Sequence, residues 1–95
     1  MKQNSVAKHL REFFRRNGYV RWQDPTRVNG EGRKRYKKGD EVRLVANSVR
    51  ELRLMRRLLR EAGFTPGRHF TKGSQYRLPL YGRDEVARFL ELIGA

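Results

Sequence analysis

Hydrophobic positions along this chain switch between helical and strand periods, and the switches outline its elements. From about Asn4 to Asn17, Val6, Leu10, Phe13 and Phe14 recur at helical spacing, while Lys8, Arg11, Arg15 and Arg16 take the other faces. Asn4 or Ser5 can cap this helix, and Asn17-Gly18 can end it because both residues tolerate a left-handed backbone. Tyr19 to Val28 then alternates as a strand does. Val20 and Trp22 point one way, towards a core, and Tyr19, Arg21 and Gln23 point the other, with Pro25 marking an edge or a break. Glu41 to Ala46 alternates again, with Val42, Leu44 and Ala46 opposed to Glu41, Arg43 and Val45.

The second half repeats the scheme. Ser48-Val49-Arg50-Glu51 reads as a capping box in which the serine hydroxyl takes a free N–H and the glutamate returns to the cap. Behind it Val49, Leu52, Met55, Leu59 and Ala62 form a helical stripe flanked by Leu54 and Leu58, closed by Gly63-Phe64. A second hairpin runs from about His69 to Lys72 and from Gln75 to Tyr81, with Tyr76, Leu78 and Leu80 on one face and Arg77, Pro79 and Tyr81 on the other. A last helix, roughly Asp84 to Ile93, buries Val86, Phe89, Leu90 and Ile93. The expected fold is α+β, in the order α-β-β-α-β-β-α: one domain over residues 1–95, with a four-stranded antiparallel sheet and helices on one face.

Charge changes the picture from fold to function. The 95 residues carry a formal net charge of +13, from 23 Lys and Arg against 10 Asp and Glu. Arginine supplies 17 of those cations and lysine 6, and arginine offers the planar fork that suits phosphates and base edges. The sheet face turned away from the helices would carry Arg21, Gln23, Arg43 and Arg77, with Lys72 in the second hairpin. The loop between the first two strands adds Arg27, Arg33, Lys34, Arg35, Tyr36, Lys37 and Lys38. One-signed charge at the tip of a two-stranded ribbon suits a polyphosphate, and Tyr36 would stack on a base or anchor the hairpin. Arg56-Arg57-Leu58-Leu59-Arg60 reads as a solvated helix face.

Other chemistry is thin. The absence of cysteine excludes disulfides, thiolate zinc sites and thiol catalysis. His9 and His69 have no ligand partners at metal spacing, and Asp24 and Asp40 sit at turn and strand-end positions. Neither a cofactor nor a bound metal is expected. No stretch has the length of a membrane span or the shape of a signal peptide, so a cytoplasmic protein with no membrane partner is expected.

Two stretches carry a resemblance. Leu10-Arg11-Glu12-Phe13-Phe14-Arg15-Arg16-Asn17-Gly18-Tyr19-Val20 and the run Gln75 to Gly94, together with the capped helix that follows the second strand directly, resemble the LAGLIDADG homing-endonuclease family. The resemblance spans nearly the whole chain and implies the same element order and a DNA-binding sheet face at Arg21, Gln23, Arg43 and Arg77. It also implies a metal-binding acid before the helix-ending glycine, and here that position holds Asn17, a poor replacement for a carboxylate. Arg11 and Glu12 stand where the family places small residues for close helix pairing, so the implied homodimer would bring like charges together.

The expected function is therefore non-catalytic binding of duplex DNA, with a regulatory role and a homodimer as further expectations. Three alternatives fit the same residues. The chain would be an RNA-binding module, a metal-dependent homing-type endonuclease whose acid is Glu12 or Asp24, or a basic domain for an acidic protein partner.

Overall fold

The structure, a computed structural model, describes residues 2–22 and 39–95, with side chains from residue 5 onward. Its elements are α1 (Lys2–Asn17), β1 (Tyr19–Arg21), β2 (Glu41–Ala46), α2 (Val49–Glu61), β3 (Phe70–Lys72), β4 (Gln75–Tyr81) and α3 (Arg83–Ile93). The fold is α+β in the expected order. The four strands form one antiparallel sheet in the spatial order β1-β2-β4-β3.

Alternation decides which side of the sheet the helices cover. Val42, Leu44 and Ala46 of β2 lie opposite Leu80, Leu78 and Tyr76 of β4 in the register. Their side chains meet the stripes of all three helices: Val6 and Leu10 of α1, Leu52, Met55, Leu58 and Leu59 of α2, and Val86, Phe89 and Ile93 of α3. Phe89 is the hub, meeting Phe14 and Phe64 edge-on with ring centroids 5.9 Å away in each case. Burying a side chain of this size stabilises a fold by about 1.5–3 kcal/mol, and edge-to-face geometry adds about 0.5–1.5 kcal/mol per pair.

The helix ends follow local chemistry, with three departures from expectation. α1 begins at Lys2, ahead of both expected caps. Gly18 is absent from the glycines with positive φ, so it does not end α1 by a left-handed turn. It is needed for close approach instead, since a Cβ there would lie 3.0 Å from Cα and Cδ1 of Phe14. At the start of α2 the Ser48 hydroxyl accepts from the Glu51 N–H at 3.1 Å, but the Glu51 carboxylate accepts from the N–H of Asn47, one residue before the cap, at 2.9 Å. Its C-terminus matches expectation. Gly63 has φ +91°, its N–H donates to Arg60 and the Phe64 N–H donates to Leu59, while Phe64 turns into the core.

Two stripe positions also differ. Val49, expected in the core, is exposed in the first turn of α2. Trp22, expected in the core by its alternation with Arg21, is 63% exposed because β1 ends one residue before it. No helix among the described residues is long and apolar enough to cross a membrane.

Candidate nucleic-acid interface

The face of the sheet away from the helices is ordered by the register into rows. Arg21 lies beside Glu41 and Tyr81, Tyr19 beside Arg43 and Pro79, Val45 beside Arg77 and Phe70, and Gln75 beside Lys72. Arg21, Arg43, Lys72 and Arg77, expected on one surface, are thus brought together on one face. Gln23, Arg27, Arg33, Lys34, Arg35, Tyr36, Lys37 and Lys38 lie outside the described residues, as does Asp24.

Tyr19 organises the centre of this face. Its hydroxyl accepts from Arg77 Nε at 3.1 Å and from Arg43 Nη1 at 3.4 Å. Because β2 lies between β1 and β4, the Tyr19–Arg77 contact passes above β2, over Val45, which pairs with Arg77 in the register and is buried. Arg43 reaches the other way, placing its guanidinium carbon 4.9 Å from the Phe70 ring centroid on β3. That path crosses Pro79 of β4, which is fully buried. Two apolar residues on a polar face are therefore roofed by a layer of arginines and rings.

Glu41 completes the layer. Its carboxylate accepts from Arg43 Nε at 2.6 Å, and the two side chains are only 12% and 16% exposed. Burial works against the charge on Arg43, but the bonds to Glu41 and Tyr19 outweigh it and hold the guanidinium above its ordinary range. Burial likewise disfavours ionised Tyr19, yet the bonds and positive charge of Arg43 and Arg77 together hold its phenol below the usual range. Arg77 Nη1 donates to Gln75 at 3.5 Å. With Nε and Nη1 of both arginines engaged, Nη2 of each has no hydrogen-bond partner among the described residues. Arg21 and Lys72 are exposed at opposite ends of the face and carry no ion pair among the described residues.

Asn17 ends α1, and Arg16 Nε donates to its side-chain oxygen at 3.4 Å. Arg16 also grips Glu51 through both terminal nitrogens at 2.9 and 2.8 Å and donates to the Val45 carbonyl at 2.9 Å. That two-pronged bond, joined by the Asn47 N–H, takes Glu51 down to about 2. Among the described residues no group of three or more His, Asp or Glu side chains could hold a metal ion. Glu12 is exposed on α1, and Asp40 accepts from the Gly82 N–H through its carbonyl at 2.9 Å, a strand-end role. Arg11 is used internally as well, its Nε donating at 2.9 Å to the Ile93 carbonyl at the C-terminus of α3.

Sequence reasoning placed Tyr19 on the polar face but gave it no role. The signal was present, since a phenol in a row of arginines is the natural acceptor for them. Phe70 was missed because its partner stands two strands away. No protein-family model, curated protein or solved structure matches the chain.

Proposed function

We propose that this chain is a LAGLIDADG-like domain that binds duplex DNA through its open sheet face and does not cut it. The observation that carries the reading is the arrangement of Arg21, Arg43, Lys72 and Arg77 on one face against a single acid among the described residues, Glu41, in a chain of net charge +13. Arg21 and Lys72, exposed at the two ends, take phosphates. Arg43 and Arg77, held by Tyr19, present Nη2 groups in fixed positions towards base edges.

The choice of duplex over single strand rests on the rings. Tyr19 and Phe70 lie under guanidiniums in cation–π contact, at 5.9 Å from Arg77 and 4.9 Å from Arg43, so they are not free to stack on unpaired bases. The absence of cutting rests on Asn17 and on the Arg16 guanidinium bonded to it.

The test is a salt titration of binding to labelled duplex DNA, single-stranded DNA and structured RNA, followed by anisotropy. The comparison is with an Arg21→Gln/Lys72→Gln variant, which leaves the Tyr19 layer intact. Preference for duplex, with a salt slope smaller in the variant by roughly 0.9 per lost phosphate contact, supports the reading. An unchanged slope removes Arg21 and Lys72 as phosphate contacts and with them the two-ended reading of the sheet face. Preference for structured RNA moves the function to RNA.

A further inference from the structure

Helix α2 carries a second concentration of positive charge on the side of the fold away from the open sheet face. Arg53, Arg56, Arg57 and Arg60 line an open groove of about 360 Å³, with Glu61 the single acid in its wall. Leu52, Met55, Leu58 and Leu59 of the same helix face the sheet, so the arginine stripe faces outward. We propose that this groove holds the phosphate backbone of a second DNA duplex, so that one molecule bridges two segments. The proposal rests on the reading of the sheet face as the site of the first duplex.

Three observations separate this stripe from an ordinary solvated face. First, four of its five charges are positive and stand at the closest helical spacings, with only Arg57 placed four residues from the acid Glu61. Arg53 and Arg57, and Arg56 and Arg60, are four apart, an arrangement that destabilises a helix by a few tenths of a kcal/mol per pair. A favourable end-dipole contact accounts for Arg60 in the last turn, but not for Arg53 in the middle. Second, Arg53, Arg57 and Arg60 have no hydrogen-bond or ion-pair partner among the described residues, leaving their charge available. Third, Arg56 is held from outside its helix, donating towards the Gly67 carbonyl at 3.5 Å and lying 3.2 Å from His69 Nδ1.

The dimensions agree with a duplex backbone. At 1.5 Å of rise per residue the stripe is about 10 Å long, and each DNA strand offers a phosphate for roughly every 3.4 Å of axis. About three phosphates therefore fit along it. The free arginines are spaced along the stripe to match a run of phosphates, so the contact is assigned to the backbone and is independent of sequence. The stripe lies on the outward side of α2 and the open sheet face is the one the helices leave uncovered, so the two contacts are assigned to separate duplexes.

The experiment uses an immobilised duplex and a second, labelled duplex in solution, with the full chain as the bridge. An Arg53→Gln/Arg57→Gln/Arg60→Gln variant removes the free cations while keeping good helix formers. A thermal melt no lower than that of the parent verifies its fold, because the like-charge repulsion has gone. The parent is expected to capture the labelled duplex. The variant is expected to load onto the immobilised duplex with little change in affinity and to lose capture by about tenfold or more. Full capture by the variant overturns the proposal and points to bridging by two copies through their sheet faces. Loading of the parent without capture also overturns it. Failure of the parent to load at all is a different result, which removes the sheet-face reading itself.

Discussion

The phenol of Tyr19 on β1 accepts a hydrogen bond from Arg77 on β4 at 3.1 Å, across the strand that separates them. The contact does three things at once. It shields Val45 from solvent, it gives Arg77 and Arg43 a shared acceptor, and it fixes the direction of two guanidiniums on the open face. Stability and the proposed interface are thus coupled through one hydroxyl.

Removing that hydroxyl tests the coupling. Tyr19→Phe keeps the ring and leaves two guanidiniums without their acceptor. Hydrogen bonds to charged groups contribute about 1.5–3 kcal/mol, and the face is partly solvated, so a loss of about 1–2 kcal/mol is expected. For a domain of this size that lowers Tm by about 4–8 °C per kcal/mol. DNA affinity should fall as well, although phenylalanine removes no charge. An unchanged Tm would mean that the arginines find water as good a partner as the phenol.

The same contact sets a titration. In the folded chain the Tyr19 phenol is held below its ordinary range, so its ionised form is favoured by folding. A depressed acid contributes stability that is present above its unfolded value, near 10, and is lost as pH falls through the folded value. Below the folded value this ionisation-linked part is absent and only the hydrogen bonds to the neutral phenol remain, so alkali should strengthen this part of the fold. Absorbance of tyrosinate against pH, compared with the Tyr19→Phe protein, isolates the group. An Arg77→Gln change should raise its midpoint towards the ordinary value.

Glu51 gives a pH dependence at the other end of the scale. Folding lowers its carboxyl to about 2 from an ordinary value of 4.5, first through the hydrogen bonds from Arg16 and then through the Asn47 N–H. Stability from this group is complete above about 4.5 and drains away as pH falls towards 2. The side chains of Arg16 and Glu51 are about a third exposed, so screening limits the effect to about 1 kcal/mol. Urea melts at intervals between neutral and acid pH should show the loss in the parent. They should show a shallower slope in Glu51→Gln, which never carries the charge.

Gly18 is expected to resist substitution for a reason of space. A methyl group there meets Cα, Cδ1 and the carbonyl oxygen of Phe14 at 3.0 to 3.1 Å. Two of those atoms are backbone and cannot step aside, and the Gly18 N–H already donates to the Phe14 carbonyl at 2.8 Å. Gly18→Ala should cost at least about 1 kcal/mol by overpacking, read as a drop in the urea midpoint at constant m-value. A Gly73→Ala change serves as contrast, because its Cβ meets nothing within 4 Å and only its φ of +65° opposes the substitution.

The sequence made β2, α2 and β4 legible because their alternation and capping signals are local. Ser48, Gly63 and the Val42-Leu44-Ala46 face need only near neighbours to act. The Tyr19 layer was not legible, because nothing in the pattern says that β2 lies between β1 and β4. Without that order Tyr19 and Arg77, 58 residues apart, have no reason to be paired. Arg16 and Glu51 were hidden in the same way, and so was the use of Arg11 to hold the end of α3. Alternation also misled at Trp22, because a period of two holds only while the strand continues, and β1 stops at Arg21.

That misplaced tryptophan gives the most direct reporter of the interface. Trp22 is the single tryptophan of the chain and is 63% exposed beside Arg21, so intrinsic fluorescence reads this one position. In the free protein its emission should resemble that of tryptophan in water and be readily quenched by acrylamide. If duplex DNA lies across the sheet face, titration should quench or shift the emission and protect it from acrylamide, with the same midpoint as the anisotropy curve. Trp22→Ala should leave Tm nearly unchanged, since little apolar area is lost from the core, while DNA affinity falls by about 1 kcal/mol or more if the ring packs on the ligand. Binding seen by anisotropy with no change in the tryptophan signal would place the ligand away from β1. The contact would then be sought at the β3 end of the sheet face or on the arginine stripe of α2.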